Sequence, residues 1–180
     1  RAIGAALSTL HPERVVVACL AAELSAQTLS QARDGMWNIH PSSLPFNRGP
    51  SPMFWQLRAG ATVAGVSVHC MDTRLDTGQL VTRRPVPLPS GVNELEAEHL
   101  AGLAGGTAIA PLLDRTSKTL AFTPQSRQRG SYQTEPDDES FRLHPHWSIE
   151  HVWNFMRGVS WRRRWFRIAT LTGEIRAREA

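Results

Sequence analysis

The sequence contains few cysteines and no long apolar run. Two cysteines occur in 180 residues. Both lie in apolar, strand-like runs, so we expect Cys19 and Cys70 to be buried thiols rather than a disulfide. No run of about 18 apolar residues is present, which argues against a membrane-spanning helix. The first ten residues lack the charged and apolar regions of a secretory signal. We therefore expect a cytoplasmic protein with no membrane contact.

Lysine is scarce too, because Lys118 stands alone against nineteen arginines. Seven of the twenty basic residues lie between Arg157 and Arg178, although the net charge is only +4. We interpret the run Arg162–Arg164 as a solvated face and keep a phosphate contact as the alternative. No group of cysteines and histidines has the spacing of metal ligands, so we predict no metal site.

The first forty residues contain strand and helix patterns in turn. The apolar run Arg14–Leu20 predicts a parallel strand that is buried on both faces. Ser25 is a candidate N-cap for a short helix that reaches Arg33. Met36–His40 predicts a second strand. This order predicts an α/β, Rossmann-like fold with a mostly parallel sheet, in which ligands bind at the carboxyl ends of the strands.

The later part of the chain predicts two more strands and a C-terminal extension. Val63–Met71 alternates as a strand does, and the prolines of Leu80–Leu88 place that strand at a sheet edge. Residues 125–139 are polar and predict a surface linker. Ser148 caps a predicted helix, and Thr172-Gly173 predicts a hairpin turn. The predicted inner face of that helix comprises Ile149, Val152, Trp153 and Met156.

Residues 93–116 form the clearest helical pattern. Asn93 and Glu96 have the spacing of a capping box. Pro111 predicts a kink or a division of the helix. Intervals of three and four predict the buried face. That face comprises Leu95, His99, Leu103, Gly106, Ala110 and Leu113.

Asn38 and His40 are two positions apart on the second predicted strand, so both side chains should project from one face. Pro41 favours extended geometry at His40. An amide can donate a hydrogen bond to an oxyanion, and an imidazole can carry a proton near neutral pH. Asp72 and Asp76 lie just past the next predicted strand and could supply a carboxylate. The set predicts direct attack of a nucleophile on a small carbonyl, since no serine, cysteine or lysine nucleophile has a clear partner.

Two motifs carry a resemblance to a known family. The first, N-I-H-P-S-S-L-P-x-x-R-G, begins at Asn38, and the second, H-x-M-D-x-x-L-D-T-G, begins at His69. In this order and at this distance they resemble the folate-dependent formyltransferases, which include methionyl-tRNA, glycinamide ribonucleotide and amino-sugar N-formyltransferases. The resemblance implies transfer of a formyl group from 10-formyltetrahydrofolate to a primary amine. It assigns the catalytic roles to Asn38, His40 and Asp76.

The resemblance also implies how these residues act. Asn38 and His40 would stabilise the oxyanion, and Asp76 would help to take the proton from the amine, with His69 as its support. Arg48 and Gly49 are interpreted with equal weight as a clamp on an anionic part of the substrate or as a surface turn. The implied folate contacts are Ala22, Glu23, Leu24, Leu29, Asp72, Thr73, Arg74 and Asp76.

The resemblance divides the chain into two parts. Residues 1–125 are interpreted as a formyltransferase catalytic domain that is N-terminally incomplete, and 126–180 as a linker with a partial C-terminal subdomain. The first βα units of the family would precede Arg1, which is not a methionine. We therefore expect either a fragment or a sheet that is completed in another way.

The acceptor and two other functions stay open at this point. A small amine, such as an amino-sugar nucleotide, is favoured over tRNA because no complete C-terminal domain with a broad basic face is visible. One alternative is a 10-formyltetrahydrofolate hydrolase, although such enzymes usually carry a second histidine where Pro41 stands. The other is a non-catalytic relative that binds folate or a partner. The sequence makes no prediction about oligomeric state.

Overall fold

The computed structural model describes residues 2–20, 22–126, 129–170 and 172–177. The α-helices are α1 (Ala2–Leu10), α2 (Ala26–Leu29), α3 (Pro52–Arg58), α4 (Glu94–Ile109) and α5 (Ile149–Val159). The strands are β1 (Val15–Ala18), β2 (Met36–His40), β3 (Val63–Cys70), β4 (Leu80–Pro87), β5 (Arg142–Leu143), β6 (Phe166–Thr170) and β7 (Gly173–Ala177). Strands β1 to β4 form one sheet in that order, and β5 to β7 form a second sheet.

The first sheet is mixed. β1 pairs with β2 in parallel, while β3 is antiparallel to both β2 and β4. The predicted α/β class is confirmed, but the sheet is not mostly parallel, because α3 and a short loop return the chain antiparallel. Strand β1 pairs only with β2 among the described residues, and Val16 is 38% exposed. The prediction that this strand is buried on both faces is therefore wrong.

Helix α4 packs on this sheet through its smallest residues. Its capping box between Asn93 and Glu96 is confirmed. A Cβ atom at Gly105 would lie 2.4 Å from Cγ2 of Ile39, so the helix approaches β2 too closely for a larger residue. The described residues of its buried face are Glu94, Ala97, Ala101, Gly105, Ala108 and Ile109.

The predicted orientation of α4 is wrong. Leu95 and Leu103 are more than half exposed, and His99 is also exposed. The spacing of the leucines was regular, but the close approach at Gly105 fixes the opposite face on the sheet. Pro111 acts as predicted, since the α-helix ends at Ile109 and a 3-10 turn follows over Ala110–Leu112.

The C-terminal elements share a core with the first part of the chain. The ring centroid of Phe54 on α3 lies 5.2 Å from that of Phe141 and 5.6 Å from that of Phe155 on α5. Phe166 on β6 completes this aromatic cluster, and all four rings are buried. The N-cap of α5 at Ser148 is confirmed. Its predicted inner face is confirmed for Val152 and Met156, which pack against the core, but not for Ile149 and Trp153, which are 89% and 50% exposed.

A buried ion pair also joins the two parts of the chain. Glu94 is fully buried at the start of α4, and Arg162 donates to it with Nε and Nη2, both at 2.7 Å. Trp161 donates a third hydrogen bond to Glu94 at 2.8 Å. Arg162 further contacts Glu135 and the Ser51 hydroxyl. The interpretation of Arg162 as part of a solvated face is therefore wrong.

The remaining expectations concern the membrane and the thiols. Across the described residues, no helix combines the length and apolar character needed to cross a bilayer. Cys19 and Cys70 are both free thiols. Cys70 is partly buried, but Cys19 is exposed, because β1 lies at the sheet edge.

Candidate active site

Three side chains of the site come from two paired strands. Asn38 and His40 lie on the same face of β2, and His69 on β3 stands directly opposite Asn38 in the antiparallel register. All three are at most 3% exposed. Buried polar side chains need hydrogen-bond partners, so this group has to be satisfied internally or by a ligand.

Asp76 places a carboxylate at the centre of this group. Its Oδ1 atom lies 3.4 Å from Nε2 of His69 and 3.5 Å from Nδ2 of Asn38. Its Oδ2 atom lies 3.6 Å from Nδ1 of His40 and accepts a hydrogen bond from the Gly49 amide at 2.9 Å. The structure thus brings Asn38, His40 and Asp76 together, with His69 as an equal fourth member.

The loop of Asp76 is held in an unusual conformation. Asp76 has a φ angle of +56°, a region that residues other than glycine seldom occupy. Gln125 donates to the carbonyl of Asp76 at 3.0 Å, and Arg48 donates to the same oxygen at 3.2 Å. Arg48 also binds the Gln125 side chain at 2.9 Å. These hydrogen bonds hold the Asp76 loop in the conformation that points its carboxylate inward.

Gly49 is required by close packing. Its φ angle is +109°, and a Cβ atom there would lie 2.0 Å from the carbonyl oxygen of Gln133. The segment that contains Gln133 was predicted to be a surface linker, but it runs beside the site. Arg48 is engaged with the Asp76 loop here, so its role as a substrate clamp stays a prediction. Gln125 was not anticipated, since nothing in its sequence neighbourhood marks it.

The hydrogen bonds of the two histidines fix their tautomers. Nε2 of His40 lies 2.9 Å from the carbonyl oxygen of Asn47, and Nδ1 of His69 lies 2.8 Å from that of Cys70. A carbonyl oxygen only accepts, so each of these ring nitrogens carries a proton and donates. In the neutral form, each ring then presents its unprotonated nitrogen towards Asp76. Both nitrogens can receive a proton.

Burial and the neighbouring groups set the ionisation of His40 and Asp76. Burial lowers the pKa of His40 below its ordinary value, and the opposing effects of Asp76 and the Asn47 carbonyl do not outweigh it. Burial alone would raise the pKa of Asp76. Interactions with His69 and His40, together with the hydrogen bond from the Gly49 amide, nevertheless hold the pKa of Asp76 below its usual range. Near neutral pH the site contains an ionised Asp76 beside a neutral His40.

Asn38 retains hydrogen-bonding capacity for a ligand. Its Oδ1 atom is buried and has no partner among the described residues. Its Nδ2 atom has only the long contacts to His69 and Asp76, at 3.4 and 3.5 Å. A buried polar atom without a partner costs about 1–3 kcal/mol. Such an atom at a strand end is expected where a ligand completes the bonding.

Two narrow clefts meet at Asp76. The Asn38 cleft is lined by Leu20, Ala22, Glu23, Asn38, His69, Met71, Asp72, Arg74, Leu75 and Asp76. The His40 cleft is lined by Cys19, Leu20, His40, Pro41, Gly49, Pro50, Pro52, Asp76 and Glu98. Of the described residues, only Leu20 and Asp76 line both.

The Asn38 cleft contains most of the predicted folate contacts. Ala22, Glu23, Asp72, Arg74 and Asp76 line it. Its free volume is about 10 Å³, which is room for about one water molecule, so a larger ligand has to separate the two loops that form it.

The other predicted contacts lie behind or beside the Asn38 cleft. Leu24 and Leu29 pack against the buried side chain of Met36. Thr73 is not among the lining residues. Asp72 accepts hydrogen bonds from the Arg74 amide and the Thr77 hydroxyl, so it caps the loop as well as facing the cleft.

Comparison with known proteins places this geometry in a family. The family model described as formyl transferase matches residues 1–97. A methionyl-tRNA formyltransferase from Chloroflexus aurantiacus is 42% identical over 147 residues, which are 81% of this chain and 47% of that protein. The chain therefore spans about half the length of this relative.

Solved structures share the fold. A 4-N formyltransferase from Francisella tularensis superimposes with a TM-score of 0.71 at 14% identity, over 96% of this chain and 73% of that one. A formyltransferase from Anoxybacillus kamchatkensis, solved with UDP-4,6-dideoxy-4-formamido-L-AltNAc and tetrahydrofolate, gives 0.61 at 20% identity, over 78% of this chain and 76% of that one. The model match over more than half of the residues establishes the family, and this chain belongs to the formyl transferases.

Proposed function

We propose that this chain transfers a formyl group from 10-formyltetrahydrofolate to a primary amine by direct attack. One observation carries the proposal: the Asp76 carboxylate lies where the two clefts meet, 3.6 Å from a nitrogen of His40 and 3.4 Å from a nitrogen of His69. A formyl carbon at this junction would be reached from one cleft by the donor and from the other by the amine. Direct transfer needs this geometry, because both reactants must be bound at once.

Asp76 and His40 would accept the proton of the attacking amine and pass it on. The attacking amine loses a proton as its bond to the formyl carbon forms, and general bases of this kind accelerate reactions by about 10²–10⁴-fold. The unprotonated Nδ1 of His40 and the Oδ2 atom of Asp76 face each other at 3.6 Å. A proton delivered between them is shared by two basic atoms and can pass on to the leaving nitrogen through water.

Asn38 would stabilise the negative charge on the formyl oxygen. Its amide is buried, its contacts are long and its oxygen has no partner, so it can turn an N–H towards an incoming oxyanion. His40 is less free to do so, because its Nε2 proton is already bound to the Asn47 carbonyl. We therefore assign the oxyanion role chiefly to Asn38, with His40 contributing once this hydrogen bond is released.

The comparisons support the donor and leave two classes of acceptor. The Anoxybacillus kamchatkensis formyltransferase was solved with tetrahydrofolate and a formylated sugar nucleotide. The greater sequence identity, however, is to a methionyl-tRNA formyltransferase. We therefore propose the primary amine of an amino-sugar nucleotide or of methionyl-tRNA as the acceptor, with more weight on methionyl-tRNA than the sequence alone suggests.

A donor-cleavage assay tests the proposal. The chain is incubated with 10-formyltetrahydrofolate and either methionyl-tRNA or a UDP-linked 4-amino-4,6-dideoxyhexose, and tetrahydrofolate release is followed. We expect release that depends on one of the amines and a formamide product detected by mass spectrometry. Release at the same rate without any amine would instead identify a hydrolase. A folded sample that releases nothing with either amine would refute the transferase proposal.

A further inference from the structure

Glu98 brings a second carboxylate to the His40 cleft. It lies on α4 and lines the cleft together with His40, Gly49 and Asp76. Its side chain is exposed at the cleft mouth. None of the described residues donates a hydrogen bond to it. Nor does a salt bridge join it to a cation among the described residues.

The preceding turn of α4 contains a carboxylate that does have hydrogen-bond partners, and it serves as a comparison for Glu98. Glu94, one turn earlier, is fully buried and is bound by Trp161 and by both Nε and Nη2 of Arg162. The remaining terminal nitrogen of Arg162 binds Glu135. Arg162 is thus already occupied by two carboxylates and cannot neutralise Glu98 directly.

The charges around the His40 cleft favour a cation. Partial burial raises the pKa of Glu98, and repulsion from Glu94 raises it further, although Arg162 opposes both. Partial desolvation raises the pKa of the exposed Cys19 thiol, and the negative charges of Glu98 and Asp76 raise it further. The charges of both carboxylates therefore act on Cys19, which also lines this cleft. A cation that entered the cleft would be attracted by both carboxylates.

We propose that Glu98 is the residue that receives the ammonium group of the acceptor. This inference rests on the proposed function and assigns the His40 cleft to the amine. At neutral pH a primary amine arrives mainly as an ammonium ion, which Glu98 binds at the mouth of the cleft. An ammonium ion has no lone pair for attack, so Asp76 and Nδ1 of His40, on the inner side, first accept one of its protons and release it to solvent. A second proton leaves as the bond to the formyl carbon forms, and it passes to the leaving nitrogen.

The assignment gives the cleft a means to select its nucleophile. An ammonium ion forms an ion pair with Glu98 in which both partners are charged, whereas water or an alcohol offers the carboxylate only a neutral donor. Glu98 therefore favours amines over water, which is the choice that separates a transferase from a hydrolase. Glu98 binds and positions the amine and takes no part in the bond changes themselves.

Matched ligands test this role without any turnover. The two amines of the donor-cleavage assay are each compared by calorimetry with a neutral analogue in which a hydroxyl replaces the amine: a 4-hydroxy sugar nucleotide, and a tRNA carrying the α-hydroxy acid analogue of methionine. The proteins are the unmodified chain, Glu98→Gln and the control Asp114→Asn. Asp114 is an exposed carboxylate in the turn after α4 and lines neither cleft.

We expect the unmodified chain and Asp114→Asn to prefer one amine to its hydroxyl analogue, and Glu98→Gln to lose about tenfold of that preference, since the ammonium ion loses its charged partner. Tetrahydrofolate affinity and melting temperature should be the same in all three. An unmodified chain without preference for either amine, or a Glu98→Gln protein with the full preference, would overturn the assignment. A clear preference without formyl transfer would refute only the proposed function.

Discussion

At the scale of single residues, Asp76 combines a strained backbone with four polar neighbours. Replacing it with asparagine keeps the size of the side chain and an oxygen for the Gly49 amide, but removes the charge. We predict that Asp76→Asn lowers turnover by at least about a hundredfold, the usual effect of losing a positioned acid–base group. Steady-state formyl transfer measures this. Circular dichroism and tetrahydrofolate binding should show a folded protein, and normal turnover would remove Asp76 from the mechanism.

The lowered pKa of His40 predicts a pH dependence of stability. In the unfolded chain a histidine titrates near pH 6.5, so the unfolded state binds more protons than the folded state as the pH falls below about 6.5. The free energy of unfolding should therefore fall from pH 7 to pH 5. Burial also lowers the pKa of His144, which acts in the same direction.

Urea unfolding at several pH values separates the two histidines. His40→Gln should flatten the dependence in part, and the double variant with His144→Gln should flatten it further. The buried His40 should account for more of the change than His144, which lies near the surface. A His40→Gln protein with an unaltered pH dependence would show that this histidine titrates normally in the folded state.

The residues with a proposed chemical role were easier to predict from the sequence than the residues that hold them in position. Asn38 and His40 share a strand face by simple alternation, and Asp76 follows from its motif. The equal part played by His69 depends on the register of β2 against β3, which no local pattern specifies. Gln125 reaches the Asp76 loop from 49 positions away. Such a contact is a property of tertiary packing, and the polar segment around Gln125 carries no signal for it.

At the scale of elements, α4 offers a matched comparison between glycines. Gly105 faces Ile39 so closely that an added methyl must displace it, whereas nothing lies within 4 Å of an added Cβ at Gly102 or Gly106. We predict that Gly105→Ala destabilises the fold by about 1–3 kcal/mol through overpacking. Gly102→Ala and Gly106→Ala should instead stabilise it by up to about 1 kcal/mol, the difference in helix propensity.

Chemical denaturation of the three variants measures these effects. Because Ile39 stands between Asn38 and His40 on β2, Gly105→Ala should also reduce formyl transfer. Equal stability of all three variants would show that the close approach of α4 to β2 does not restrict the size of the residue at position 105. The comparison also explains the wrong prediction for this helix: leucine spacing identifies an apolar stripe, but closeness of packing decides which stripe meets the sheet.

At the scale of the molecule, the buried pair of Glu94 and Arg162 connects the C-terminal segment to α4. We predict that Arg162→Met destabilises the fold by about 3–5 kcal/mol, because it leaves the fully buried Glu94 without its cation. The control Arg164→Ala removes an exposed ion pair with Asp138 and should cost at most about 1 kcal/mol. Thermal and urea unfolding measure both, and similar losses would argue against a special role for the buried pair.

The overall architecture was predictable only in part. The α/β class, the capping box of α4 and the C-terminal hairpin follow from local sequence. The shared aromatic core does not, because Phe54, Phe141, Phe155 and Phe166 are dispersed over more than a hundred positions. The division at residues 125 and 126 stays a prediction, although the packing crosses it at this core and at the buried ion pair.

The small overlap between the two clefts has an evolutionary consequence. Leu20 and Asp76 are the only described residues that line both clefts. Substitutions at Pro50, Pro52 or Glu98 therefore alter the lining of the His40 cleft and leave that of the Asn38 cleft unchanged. If the Asn38 cleft binds the donor and the His40 cleft binds the amine, as proposed, natural selection can exchange one amine for another while the donor site is inherited intact. A family with a constant donor and diverse acceptors is the outcome that such a separation permits.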